Sequence, residues 1–340
     1  MANMNISTPR FYPDIVNFLM SRGLGQDGNF DVITGSNLIG VQTGSEAELF
    51  DMRPLNKVDF NTSAATSDHV LVNIDTQSTS TKKSFVAILN HNMASADAKV
   101  LIKASNTESH VQAVNMGSAT SMVNPAQVVN ADAIGSSIVI PATDGSTIVR
   151  FDESALRYWG IQFEGNSSNT FSSTDLFVGC ILIGEYYDMP HAPDLNVTRM
   201  ISYNRLNDLQ ESHGGQRFSN LKSYGRTAGS TSKSPFTTAS NGYDSQGGRL
   251  IYDMNFSFIN STDLMPDEYD IIADDDNFVD DVWNKTNGNH IPFIFSIDKS
   301  SEGDNAESEH IFGRFANNSL DMAQVAPNVF NVSLTVEEEF

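Results

Sequence analysis

Along much of this chain, short runs of apolar and β-branched residues are separated by connections rich in Ser, Asn, Thr and Gly. Residues 70–74, 84–89, 99–104, 138–140 and 147–151 have the composition of strands, and the segments TQSTSTKK, NHNMASAD and ATDG between them favour turns. Strands of this length must bury one face against a second sheet, so the pattern predicts a sandwich or jelly roll over 1–190. Near the amino terminus, Phe11, Ile15, Phe18 and Leu19 fall at helical spacing, with Pro13 in a first turn and Gly23 past the end. This spacing predicts one short amphipathic helix.

The stretch 155–195 organises the rest. Residues 156–163 alternate bulky with small or polar side chains, and 176–183 form an apolar run that stops at Gly184. The intervening GNSSNTFSSTD reads as a polar loop, because its side chains compete for backbone hydrogen bonds. Strand, loop, strand implies that the two runs pair as neighbours. Pro190 and Pro193 then end the sheet, which places a boundary between a domain over 1–190 and a second over 191–340.

In the second half, 197–203 reads as a strand. Residues 249–259 place Leu250, Tyr252, Met254, Phe256 and Phe258 on one face, and 292–297 and 329–336 alternate in the same way. Phe278, Val282 and Trp283 give a short helix within 270–284 one apolar face. The expected fold is mainly all-β: two β-sandwich-like domains with one or two short helices, the second carrying a long polar arm at about 204–248. The stretch reads either as a mobile surface loop or as an arm that, too polar to repay its ordering entropy alone, becomes ordered only against a neighbouring copy. Its candidate assembly residues are Arg217, Phe218, Leu221, Lys222, Tyr224, Arg226, Lys233, Phe236 and Tyr243, cations and apolar anchors facing the acidic surface of a sister subunit.

Charge narrows the partners. Lys and Arg number 20 against 42 Asp and Glu, a formal net charge of -22, which opposes binding to phosphate backbones. No apolar run is long enough to span a bilayer, so no membrane insertion is expected. The amino terminus lacks the pattern of a signal peptide, so folding in the cytoplasm is expected. The single cysteine, Cys180, sits in the apolar run FVGCILIG and reads as a buried thiol without a catalytic base nearby.

Candidate chemistry is sparse. Asp274, Asp275, Asp276, Asp280 and Asp281 crowd together, but DDDNFVDDVW lacks the alternating ligands and terminal Glu of a calcium loop. His69, His91, His110, His191, His213, His290 and His310 show no close pair at metal-ligand spacing. No nucleophile elbow, phosphate-binding glycine loop or paired Cys motif occurs. No catalytic, cofactor or metal residue is therefore assigned, although paired carboxylates can still meet through the fold, as in glycosidases. Tyr158, Trp159, Tyr186, Tyr187, His191 and Arg157 form the most aromatic neighbourhood. Their place within alternating strands favours core packing, and stacking on sugar rings is the functional alternative.

Three stretches carry a family resemblance: Arg157, Tyr158, Trp159, Ile161 and Phe163; DMPHAPDL at 188–195; and QVAPNVFNVSLTVE at 324–337. Together they resemble virion structural proteins of tailed bacteriophages, from the tail or baseplate, and the first part also resembles discoidin-like jelly rolls. The resemblance implies a non-enzymatic subunit in the virion tail, assembled in the host cytoplasm into a symmetric ring or tube. Its implied partners are copies of itself and other tail proteins. The alternative is a carbohydrate-binding adhesin contacting a host surface glycan, and a glycan-degrading enzyme is a second alternative.

Overall fold

The computed structural model describes residues 6–24, 29–63, 68–79, 81–124, 127–134, 137–166, 170–202, 209–219, 235–236, 249–266, 276–301 and 309–339. Among them the chain is mostly strand, as expected. Three main sheets lie in layers. The front sheet runs Ala131–Ile134, Ile138–Pro141, Ala98–Ser105, Tyr158–Gly165, Val70–Asp75, Phe30–Ile33. The middle sheet runs Cys180–Gly184, Lys83–His91, Gly145–Ser154, Val128–Val129. The back sheet runs Tyr187–Asp188, Arg10–Tyr12, Phe293–Ser296, His310–Phe315, Val329–Glu338, Arg249–Asn260, Thr198–Ser202.

The middle sheet has a core on each side. Toward the front sheet, Val86, Ile88, Val149, Ile181 and Ile183 meet Val72, Ile74, Ile102, Trp159, Ile161 and Phe163. Toward the back sheet, Phe85, Ala87, Leu89, Ile148, Cys180 and Leu182 meet Tyr12, Ile294 and Phe312. Burial on both faces explains why this sheet reads as continuous apolar runs such as FVAIL and CILIG, where a half-exposed sheet would alternate. The far face of the back sheet packs Phe11, Phe293, Phe295 and Phe315 under Phe278 and Val282, the latter on the short helical turn Val279–Asn284. Trp159 and Phe163 are fully buried, with Trp159 stacked on Phe151 at a centroid distance of 5.3 Å.

Several expectations are corrected. The runs at 156–163 and 176–183 do not pair: Tyr158–Gly165 lies in the front sheet between Val70–Asp75 and Ala98–Ser105. The second run breaks at Gly179 into Leu176–Val178, in a small sheet with Val58–Phe60, and Cys180–Gly184, in the middle sheet. A Cβ at Gly179 would lie 2.1 Å from the Pro54 carbonyl oxygen, so only glycine lets the chain pass there. Phe11 belongs to a strand, Arg10–Tyr12, and the helix starts later, at Ile15–Ser21. Arg10–Tyr12 and Tyr187–Asp188 are both strands of the back sheet, beside Phe293–Ser296. Phe258 departs from the apolar face of its strand: a bulge between Phe256 and Ile259 gives it φ +66° and leaves it 71% exposed.

The buried polar side chains of the middle sheet are cut off from solvent. The Lys83 ammonium donates to the carbonyls of Ser78, Thr81 and Leu156 at 3.3, 2.7 and 3.1 Å. Arg150 reaches toward the back layer and donates to the carbonyls of Lys299 and Ser301. At the sheet's edge, Asp14 caps the helix by accepting from the Asn17 amide and also accepts from the Ile183 N–H. Burial raises the Asp14 carboxyl above its usual range, against these hydrogen bonds.

His91 yields the pH prediction. Its Nδ1 accepts from the Met93 N–H, so Nε2 carries the proton and donates to Thr147 Oγ1 at 2.9 Å. Burial lowers its pKa from 6.5 to about 3. Between those values the unfolded chain binds a proton that the native chain refuses, so stability falls as pH drops below 6.5. The slope from this one group reaches about 1.4 kcal/mol per pH unit. Urea unfolding from pH 7 to pH 4 checks it: His91→Asn is expected to be less stable at pH 7 but to lose less on acidification, and parallel pH profiles contradict the assignment.

Candidate functional site

The outer face of the front sheet carries the site. In Val70–Asp75 the inward residues are Val70, Val72 and Ile74, leaving Leu71, Asn73 and Asp75 outward. Part of that face is roofed by the excursion after Ala98–Ser105, whose Val111 and Met116 pack on Leu71 and Leu101. The roof lies so close that a Cβ at Gly160 would stand 2.2 Å from Met116 Sδ. Toward the strand Phe30–Ile33 the roof stops, and a cleft of about 160 Å³ opens. That is the volume of about five waters in bulk liquid, the scale of one small polar ring.

Register brings the polar groups of the cleft together. Asn73 stands opposite Gly160 on one neighbour and Asp31 on the other. It is 8% exposed, yet neither its amide nitrogen nor its oxygen has a hydrogen-bond partner. Asn29, 5% exposed, accepts from Gln77 Nε2 at 2.7 Å through its oxygen while its nitrogen is unpartnered. A buried polar atom left unpaired costs about 1–3 kcal/mol, so three orphaned atoms in one cleft call for an explanation. Tyr158 and Phe30 supply aromatic surface, and Asp31, Glu46, Asp75 and Glu108 make the lining acidic.

The carboxylates differ in their commitments. Asp75 is gripped by Arg157 through two hydrogen bonds of 2.7 Å and also accepts from Gln77, so it is an orienting anchor. Glu46 accepts from the Val32 N–H at 3.1 Å, and Glu108 from Gln112 at 3.0 Å. Asp31 accepts no hydrogen bond from any described residue. Arg157 also lies over the Tyr158 ring, 4.9 Å from its centroid.

The same face holds a contrasting, satisfied cluster. Glu164 accepts from Lys99 at 3.1 Å and Gln162 at 2.9 Å and meets His69 at 3.3 Å, while Gln162 accepts from the Asn115 N–H. Burial pushes the Glu164 carboxyl up, but its hydrogen bonds to His69, Lys99 and Gln162 outweigh that and hold it below the usual range. Among the described residues, no three His, Cys, Asp or Glu side chains converge to hold a metal ion.

The residues singled out in the sequence are scattered by the fold. Tyr158 lines the cleft, Trp159 is core, Tyr187 is buried with its hydroxyl donating to the Asp263 carbonyl, and Tyr186 lies under Arg10. His191 donates to the adjacent Ala192 carbonyl. Of the aspartate cluster, Asp281 is buried and pairs with Lys285 at 2.9 Å; Asp274 and Asp275 lie outside the described residues. Of the arm residues, Arg217 and Phe218 fall in a hairpin strand, Arg217–Ser219. Leu221, Lys222, Tyr224, Arg226, Lys233 and Tyr243 lie outside the described residues. Phe236, expected as an anchor for a neighbour, is instead buried in its own chain between middle and back sheets, beside His310, because those layers leave an apolar gap there.

No family model and no curated protein matches this chain. Among solved structures it is similar to chitosan-binding module 1 from a chitosanase/glucanase of Paenibacillus sp. IK-5, at 12% identity and TM-score 0.28, covering 45% of this chain and 90% of that one. It is also similar to CBM32 of AlyQ in complex with 4,5-unsaturated mannuronic acid, at 15% identity and TM-score 0.27, covering 45% and 95%. A third is CBM32-1 from a family 31 glycoside hydrolase of Clostridium perfringens, at 10% identity and TM-score 0.30, covering 46% and 95%. Likeness at these scores carries no functional argument, and the geometry of the cleft stands alone.

The orphaned amide gives a stability prediction. Asn73→Leu removes two unpaired polar atoms at nearly constant volume, so it is expected to stabilise the protein by about 1–3 kcal/mol in urea unfolding. A loss of stability instead would mean that the native fold already satisfies this amide.

Proposed function

We propose that the protein is a non-enzymatic carbohydrate-binding protein of the adhesin kind, with the front-sheet cleft as its site. The observation that carries this reading is a small cleft lined by Tyr158 and by two buried asparagines, among whose side-chain atoms the Asn73 nitrogen and oxygen and the Asn29 nitrogen have no hydrogen-bond partner. An amide presents one donor and one acceptor side by side, which matches two neighbouring hydroxyls of a sugar. An aromatic face beside such a pair suits the apolar side of a pyranose ring. A hydrolytic reading is less well supported, since within the cleft Asp75 is held by Arg157, Glu46 by a backbone amide and Glu108 by Gln112, leaving Asp31 as the one lining carboxyl without a partner among the described residues. A glycan array checks the binding reading. Wild-type protein is expected to retain at least one sugar class, and Asn73→Leu to weaken that binding by about tenfold or more while remaining folded. Equal binding by both proteins contradicts it.

A second reading, a subunit of a homo-oligomeric particle, is favoured by one surface. Leu195, Ile201 and Phe258 are 107%, 60% and 71% exposed on or beside the strands Thr198–Ser202 and Arg249–Asn260. The bulge holds Phe258 outward with its N–H donating to Asn331 Oδ1, a fixed presentation of an aromatic ring that suits an interface anchor. Placement in a tailed-phage tail rests on the resemblance of 157–163, 188–195 and 324–337. The two readings are compatible in a virion adhesin. Light scattering across a concentration series is expected to show self-association that Phe258→Ser weakens, and a wild-type protein that stays monomeric throughout overturns this reading.

A further inference from the structure

Resting on the carbohydrate-binding reading, we infer that the cleft selects sugars bearing a free, protonated amine over N-acetylated, neutral and uronic sugars. Its lining holds four carboxylates, Asp31, Glu46, Asp75 and Glu108, and no cation. The nearest guanidinium, Arg157, is engaged by Asp75 and neutralises that one group, so the other three set the local field. Of these, Asp31 has no hydrogen-bond partner among the described residues and stands in register beside Asn73.

The division of labour follows from that juxtaposition. The Asn73 and Asn29 amides are neutral and read hydroxyls, while Asp31 is an acceptor-only group that an ammonium fits and an acetamide or hydroxyl fits less well. A uronic carboxylate would face like charges at short range and a chain of net charge -22 beyond them. A divalent cation is the other partner that such a lining invites. It is disfavoured because no three acidic or imidazole groups among the described residues converge. Unpartnered amides, moreover, are better matched by a polyhydroxylated ligand than by a bare ion.

The test uses calorimetric titration of the full chain with short oligomers of glucosamine, N-acetylglucosamine, glucose and glucuronic acid, and with spermine as an amine without hydroxyls. Glucosamine oligomers are expected to bind about tenfold more tightly than the neutral and N-acetylated ones, with the advantage shrinking as salt rises. Asp31→Asn is expected to narrow that ratio to about threefold or less. Asp321→Asn, which removes a surface charge elsewhere, is expected to leave it unchanged. Neutral and amino sugars bound equally by the wild type overturn the selectivity while the carbohydrate reading stands. Spermine bound as tightly as glucosamine oligomers overturns it too, by showing attraction to charge alone. No binding of any sugar overturns the carbohydrate reading itself.

Discussion

A four-stranded sheet with no solvent face is the constraint on which the molecule depends. Because the middle sheet is buried against the front sheet on one side and the back sheet on the other, its apolar residues serve two cores at once. Its buried polar residues must find partners within the fold, which Lys83, His91 and Arg150 do through carbonyls and a hydroxyl. One of its edges, Cys180–Gly184, is covered by Asp14 accepting from the Ile183 N–H and by Pro13 packed so near Gly184 that a Cβ there would lie 2.2 Å from the Pro13 carbonyl oxygen. An edge sealed in this way cannot recruit a stray strand.

What could be read from the sequence follows from the same constraint. Half-buried strands announce themselves by alternation, so Arg249–Asn260 and Val329–Glu338 were legible from the spacing of Tyr252, Met254, Phe256, Val332, Leu334 and Val336. The strands of the middle sheet were legible as strands but not as a doubly covered layer, because a continuous apolar run records burial without recording the partner. The break at Gly179 and the placement of Phe11 depend on contacts with Pro54 and with the far end of the chain, and local pattern holds no trace of either. Phe258 misled for a related reason: one extra residue in the ladder shifts the face of every side chain near it.

The cleft was hidden more deeply. In VLVNID an outward Asn and Asp look like any solvent-facing positions, and only the roof formed by Val111 and Met116 turns that face into an interior. The neighbouring cluster of His69, Gln162, Glu164 and Lys99 lies on the same face and is fully hydrogen-bonded. The fold therefore has the means to satisfy buried polar groups on this face, and the Asn73 amide and the Asn29 nitrogen, at the open end of the cleft, are the ones it leaves unpaired there. Sites built on strands are also held more firmly than sites on loops, so little ordering cost remains for a ligand to meet.

The size of the cleft ties the two functional readings together. At about 0.3 kcal/mol per heavy atom, a hexose with about a dozen such atoms gains roughly 4 kcal/mol, a dissociation constant near the millimolar range. A single cleft of about 160 Å³ cannot hold a surface on those terms. Repetition can, since linked weak sites raise effective affinity by about two to four orders of magnitude when geometry allows them to engage together. An outward apolar edge around Ile201 and Phe258 on the back layer, opposite the cleft on the front layer, would let copies join without blocking the sites. In that arrangement the rigid middle sheet keeps the assembly face and the binding face in fixed relation, which is the condition multivalent attachment requires.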